Sequence, residues 1–176
     1  MTAQDAKKLV RDVPDFPKKG IIFKDITPVL ADPKAFALIC DELSSPFLKS
    51  KITKVLAVES RGFIFGAAVA ERLNVGFVPV RKAGKLPWKT VKQSYTLEYG
   101  EAALEMHSDA LNNSDRVLLV DDVLATGGTL RATQFLAQEL GAEVVGASCL
   151  IELEFLKGRE LLVSRGISQV HAVWKY

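Results

Sequence analysis

Cysteine and histidine are scarce in this chain, with two of each among 176 residues. Cys40 and Cys149 stand far apart and form no CxxC pair, which excludes a disulfide framework and a zinc ribbon and suits a reducing cytosol. His107 and His171 are too scattered for a histidine-based metal site. An excess of charge of one sign is also missing: 23 Lys and Arg face 21 Asp and Glu, for a net charge of +2. That balance argues against a duplex-coating protein or an acidic tail, so nucleic acid is not expected as a partner. The longest apolar run spans residues 62–70, between Arg61 and Glu71, and is too short to cross a bilayer. The opening residues are charged throughout, so no signal peptide and no membrane partner are expected, and the expected location is cytoplasmic.

What remains is the make-up of a globular protein, with 48% hydrophobic and 25% charged residues. No repeat, low-complexity tract or Ser/Gly linker divides it, so one domain over residues 1–176 is expected. Asp32-Pro33 supplies a helix cap followed by proline at the first helical position. Phe36, Ile39, Cys40 and Leu43 then fall on one helical face. Residues 54–58 read as a buried strand, 61–73 as an apolar helix and 75–80 as the next strand. A further core strand at 117–120 precedes a helix with Thr133, Leu136, Ala137 and Leu140 on one face, stopped by Gly141. Residues 143–150 give another strand. Strand, helix, strand in this repeated order predicts an α/β fold, a mostly parallel sheet covered by helices on both faces. Residues 81–97 break the rhythm with Arg81, Lys82, Lys85, Lys89 and Lys92, no acid, a Gly, a Pro and Trp88. A structureless stretch of this length is often a lid, and a solvated hairpin is the plainer alternative.

The strongest chemical signal is Val117-Leu118-Leu119-Val120-Asp121-Asp122-Val123-Leu124-Ala125-Thr126-Gly127-Gly128-Thr129. Four apolar residues make a strand, two carboxylates stand where it is expected to end, and a Thr/Gly turn opens a helix. Parallel-strand ends are where α/β proteins hold ligands. The turn offers backbone N–H groups at a positive helix end, which suits a phosphate, and glycines let the backbone approach it. The acids would repel a bare phosphate and should face hydroxyls or a metal-bound ligand. A phosphorylated sugar meets both demands. A Walker B strand is the competing reading, but no GxxxxGK[ST] accompanies it. A plain strand with a solvated turn is the other.

This stretch resembles the phosphoribosyl-pyrophosphate (PRPP) motif of type I phosphoribosyltransferases. Further blocks resemble the adenine branch of that family: Asp15-Phe16-Pro17, Gly20-Ile21-Ile22-Phe23-Lys24-Asp25-Ile26, Glu59-Ser60-Arg61-Gly62-Phe63, Arg81-Lys82 through Lys85-Leu86-Pro87, Ser94-Tyr95-Thr96-Leu97-Glu98-Tyr99-Gly100 and Leu156-Lys157-Gly158-Arg159. They run in the family's order over most of the chain. Ala83 departs from a frequent proline, Trp88-Lys89 has no assigned counterpart, and the last ten residues carry no motif.

The resemblance implies the type I fold with a flexible lid at about 81–97, a homodimer, and conversion of adenine and PRPP to AMP and pyrophosphate in purine salvage. It implies that Ala125, Thr126, Gly127, Gly128 and Thr129 wrap the 5′-phosphate and that Asp121 and Asp122 hold the ribose hydroxyls. Glu59 and Ser60, expected to be joined by a cis peptide, would form the pyrophosphate loop with Arg61. Arg61, Arg81, Lys82 and Lys85 would neutralise pyrophosphate, some across the dimer. Phe23 and Leu124 would sandwich adenine while the Ile22 backbone reads its edge. Glu98 would move protons on the purine, with Arg61 as its catalytic companion, and Tyr99 would shape the closed site. Magnesium would arrive with PRPP, held mostly by ligand oxygens and water, with no protein metal site. Two rivals stay open: another purine or orotate phosphoribosyltransferase, and a PRPP-sensing regulator that binds nucleic acid.

Overall fold

The structure, a computed structural model, describes residues 1–97 and 100–176, with side chains described for all of these but 96, 97, 100 and 101. The chain divides into two compact units, Met1–Glu42 and Leu43–Tyr176.

In the first unit, helix α1 (Ala3–Lys7) opens with a reciprocal capping box between Thr2 and Asp5. Strands β1 (Arg11–Pro14) and β2 (Ile22–Asp25) form an antiparallel pair with Val13 opposite Phe23. Helix α2 (Thr27–Ala31) leads to α3 (Pro33–Ser44), which runs on into the second unit. The Asp32 carboxylate accepts from the N–H groups of Lys34 and Ala35 at 2.9 and 2.8 Å, the cap expected from Asp32-Pro33. Ile39, Cys40 and Leu43 are buried as that face requires, whereas Phe36 is half-buried and Ala35 joins the buried set.

The second unit is built on a seven-stranded sheet. Its elements are β3 (Lys54–Val58), α4 (Arg61–Leu73), β4 (Gly76–Lys82), β5 (Thr90–Leu97), β6 (Gly100–His107), β7 (Arg116–Leu124), α5 (Gly128–Glu139), β8 (Glu143–Glu152), α6 (Gly158–Ser164) and β9 (Gln169–Lys175). The strand order is β5-β6-β4-β3-β7-β8-β9. The β4, β3, β7, β8 and β9 neighbours pair in parallel, while β5 and β6 form an antiparallel pair attached to β4. The mostly parallel α/β sheet expected from the alternating pattern is therefore present. Gly141, at φ +86°, follows α5 as the terminator expected of it.

Two expectations are corrected. Residues 81–97 are not structureless: Arg81 and Lys82 close β4, and 90–97 form β5, paired with β6 along its length. The alternation of half-buried Val91, Gln93 and Tyr95 with exposed Lys92 and Ser94 is what makes this lysine-bearing segment a strand. Nor does β7 end before its two carboxylates. Pairing with β3 reaches only Ala57 and Val120, but pairing with β8 continues to Leu124 and Glu152, so Asp121 and Asp122 lie inside the strand.

The topology positions the site. From β3 the chain crosses through α4 to β4 on one side; from β7 it crosses through α5 to β8 on the other. Right-handed crossovers, the rule for such units, put α4 and α5 on opposite faces and open a crevice at the carboxyl ends of β3 and β7. Close packing fixes α4 there. A Cβ on Gly66 would lie 2.4 Å from the Cβ of Ala57 on β3. Gly66→Val should therefore overpack this contact and destabilise the protein by about 1–3 kcal/mol. The expected readout is a lower urea midpoint with an unchanged slope; an unchanged midpoint would contradict so close an approach.

Candidate active site

The loop after β3 begins with Glu59, whose peptide to Ser60 is cis, as the resemblance implied. Helix α4 then starts at Arg61. The Arg61 Nε lies 2.7 Å from Asp122 Oδ2. The next residue has no side chain for a spatial reason: a Cβ on Gly62 would come within 2.8 Å of Asp121 Oδ1. That oxygen accepts from the Asp122 N–H at 2.9 Å. Both acids are buried, not at an exposed strand end. Burial, and then the neighbouring Asp122 charge, push the Asp121 carboxyl well above the ordinary aspartate range; Arg61 pulls the other way without prevailing.

The loop after β7 is the expected Thr/Gly turn. Ala125, Thr126 and Gly127 bend the chain, and Gly128 and Thr129 begin α5. Gly127, the residue before the helix, has φ +83°, which glycine adopts without strain. No side chain caps α5, and a cavity of about 50 Å³ lined by 123–130 lies at its start. These are the features of an anion site at a helix start. Two neighbours of this loop had no assigned part in the sequence reading. Tyr95 brings its ring to 3.6 Å from a Cβ built on Gly128, and a Cβ on Gly158 would lie 2.2 Å from the Ala125 carbonyl oxygen. Both lie inside recognised sequence blocks, but nothing local says that they face the turn. A larger cavity of about 270 Å³ lies at the other ends of the strands, lined in part by Lys54, Phe77, Pro79 and His107. Its Lys54 ammonium is already engaged by the Ala110 carbonyl and Asp115. The chemistry therefore favours the smaller cavity.

Of the expected pyrophosphate cations, the two arginines are held by internal partners, Arg61 by Asp122 and Arg81 by Glu59. Glu59 accepts from Arg81 Nη2 at 2.9 Å and from the Lys82 N–H at 2.5 Å. Arg81 Nη1 donates in turn to the Lys85 carbonyl at 3.2 Å. Partial burial raises the Glu59 carboxyl, but the Lys82 N–H and Arg81 together outweigh it and hold the group below its usual value. Glu59 thus fixes the base of the basic turn, while Lys82, Lys85 and Ser60 are exposed.

Ile22 and Phe23 lie in the first unit. Ile22 is exposed, and the half-buried Phe23 ring meets Phe16 edge-on with centroids 5.2 Å apart. Leu124, the last residue of β7, is 1% exposed. Glu98 and Tyr99 lie outside the described residues. Among the described residues no three His, Cys, Asp or Glu side chains are grouped to hold a metal ion. The adjacent carboxylates suit a metal that arrives with its own ligand oxygens better than one caged by protein.

The phosphoribosyl transferase domain model matches residues 29–167. The adenine phosphoribosyltransferase of Solidesulfovibrio magneticus is 54% identical over 166 residues, 94% of this chain and 97% of that one. Among solved structures, adenine phosphoribosyltransferase from Thermoanaerobacter pseudethanolicus is similar with a TM-score of 0.95 at 48% identity, covering 99% of this chain and 100% of its own. The APRTase of Giardia lamblia, complexed with 9-deazaadenine, gives 0.94 at 42% identity, covering 100% and 98%.

The raised Asp121 carboxyl has a consequence for stability. Below the ordinary aspartate value of 3.8 the group is neutral whether folded or unfolded, and its full contribution is present. As the pH rises through the folded value it must ionise in place, and that contribution is lost. Asp121→Asn, always neutral, should be more stable than the parent at neutral pH, with the gap closing as the pH falls toward 3.8. Urea midpoints across pH measure this. A variant less stable at neutral pH would mean that the anion is satisfied where it sits.

Proposed function

The chain belongs to the adenine phosphoribosyltransferases, and we propose that it joins adenine to PRPP, giving AMP and pyrophosphate for purine salvage. The observation that carries this reading is the pairing of two buried carboxylates with an uncapped helix start directly after them. A sugar phosphate needs both: anion-binding N–H groups for its phosphate and acceptors for its hydroxyls. The 9-deazaadenine bound by the Giardia relative supports a purine as the second substrate.

In the reaction the anomeric C–O bond to pyrophosphate breaks and a bond to a purine ring nitrogen forms. Positive charge builds on the ribose and negative charge on the leaving group. The protein's task is to align the two substrates and to stabilise the departing charge. Ala125, Thr126, Gly127, Gly128 and Thr129 hold the 5′-phosphate, and Asp121 and Asp122 accept from the ribose hydroxyls. Glu59 and Ser60 form the pyrophosphate loop; Arg61, Arg81, Lys82 and Lys85 supply cations there, with some reaching across a homodimer. Magnesium bound with PRPP would add positive charge beside the pyrophosphate, held mostly by ligand oxygens and water. Phe23 and Leu124 sandwich the adenine ring. The Ile22 backbone accepts from its amine, which hypoxanthine cannot offer; an unpaired buried acceptor costs about 1–3 kcal/mol. Glu98 accepts the proton that the purine imidazole gives up as the new bond forms, and Tyr99 shapes the closed site. The segment over about 81–97 acts as a lid that keeps water from PRPP. The enzyme acts in the cytoplasm; among the described residues no helix is long and apolar enough to cross a membrane.

The test has two arms. Adenine, hypoxanthine, guanine and orotate compete at saturating PRPP, and only adenine should be used efficiently. Equal use of hypoxanthine would overturn the base assignment. In the second arm, Asp121→Asn with Asp122→Asn should weaken PRPP binding by calorimetry by roughly tenfold or more, as loss of hydrogen bonds from the ribose hydroxyls to both acids implies. Unchanged PRPP affinity would remove the acids from the site.

A further inference from the structure

A further buried carboxylate stands directly behind the β7–α5 turn. Glu152, the last residue of β8, is 3% exposed and lies in register with Leu124, the residue just before the turn. Its two oxygens are taken by one guanidinium: Arg159 Nε donates to Oε1 at 2.8 Å and Nη2 donates to Oε2. Arg159 Nη1 donates to the Val170 carbonyl on β9. The planar fork therefore ties the start of α6 to two strands at once, a geometry that lysine cannot reproduce. The segment between them is pinned as well. The Leu153 N–H donates to the Leu124 carbonyl at 2.9 Å. The terminal Tyr176 bonds through its N–H to the Glu152 carbonyl and through its carbonyl to the Glu154 N–H, both at 3.0 Å.

What this scaffold presents to the turn is bare backbone. A Cβ on Gly158 would stand 2.2 Å from the Ala125 oxygen and 2.9 Å from the Gly127 nitrogen, and a Cβ on Gly127 would stand 2.9 Å from the Gly158 oxygen. The turn and the start of α6 are in backbone contact, and glycine on both sides makes that possible.

We propose that Arg159 is a positioning residue for PRPP: through its fork with Glu152 it holds Gly158 against the turn, and so sets the shape of the 5′-phosphate site. The proposal rests on the reading of that turn as the phosphate site. It also gives the final residues, which carry no sequence motif, a part in the same scaffold.

Arg159→Ala would strand Glu152 as a buried charge and endanger folding, so the primary variants avoid that. Arg159→Lys keeps a cation without the fork, Arg159→Met with Glu152→Gln removes both charges, and Gly158→Ala changes only the contact. Each should raise KM for PRPP by roughly tenfold or more while KM for adenine stays within about twofold, since small misplacements at a reacting site are costly. Calorimetry with PRPP and melting temperatures accompany the kinetics. Lower melting temperatures with an unchanged PRPP KM would overturn the proposal and leave Arg159 a staple of the fold. An equal rise in both KM values would also overturn it. Failure of the parent enzyme itself to bind PRPP would instead strike the phosphate reading on which it rests.

Discussion

Two neighbouring acids held inside a sheet constrain almost everything around them. Asp121 and Asp122 are buried in β7 just beyond the point where the strand loses its β3 neighbour. Carboxylates in that position are unfavourable unless paired and hydrogen-bonded. One is met by Arg61 at the head of α4; the other accepts a main-chain N–H and is driven toward its neutral form by burial and its neighbour. Glycine after Arg61 leaves the Asp121 carboxylate in place, since a Cβ there would come within 2.8 Å of its Oδ1. A hydrogen-bond-donating ligand, such as the ribose diol of the proposed substrate, would relieve what the protein alone leaves unmet.

The same economy of space recurs at the turn that follows. The reversal of crossover direction between β3 and β7 opens the crevice, but the fine shape of its floor comes from backbone meeting backbone at Gly127 and Gly158. Behind that contact stand Glu152, Arg159 and the end of β9. Glu59 plays a comparable part on the other side, anchoring Arg81 and the Lys82 main chain at the base of the basic turn. Charged groups in this site thus serve first to hold one another in place.

Much of this was legible in the sequence because its signals are local. The Asp32 cap, the β3 run, helix α4 and the Gly141 stop each follow from a few consecutive residues, and the 117–129 block carried both the acids and the helix start. The failures are non-local. Strand β5 escaped notice because Val91 and Tyr95 are diluted by lysines and follow a Gly- and Pro-bearing turn; only pairing with β6 turns the alternation into a strand. The depth of Asp121 depends on how far β8 extends alongside β7, which no window around residue 121 reveals. The division after Glu42 falls within a continuous helix, so no linker could announce it. The Arg159 fork joins residues across a turn and a third strand, where sequence spacing carries no information.

The central claim is that this site transfers a phosphoribosyl group to adenine. Incubating the protein with isotopically labelled adenine, with and without PRPP, and following both products tests it most directly. The account predicts labelled AMP and pyrophosphate in equal amounts, and neither product when PRPP is omitted. Absence of AMP with PRPP present, or pyrophosphate released without AMP, would contradict it.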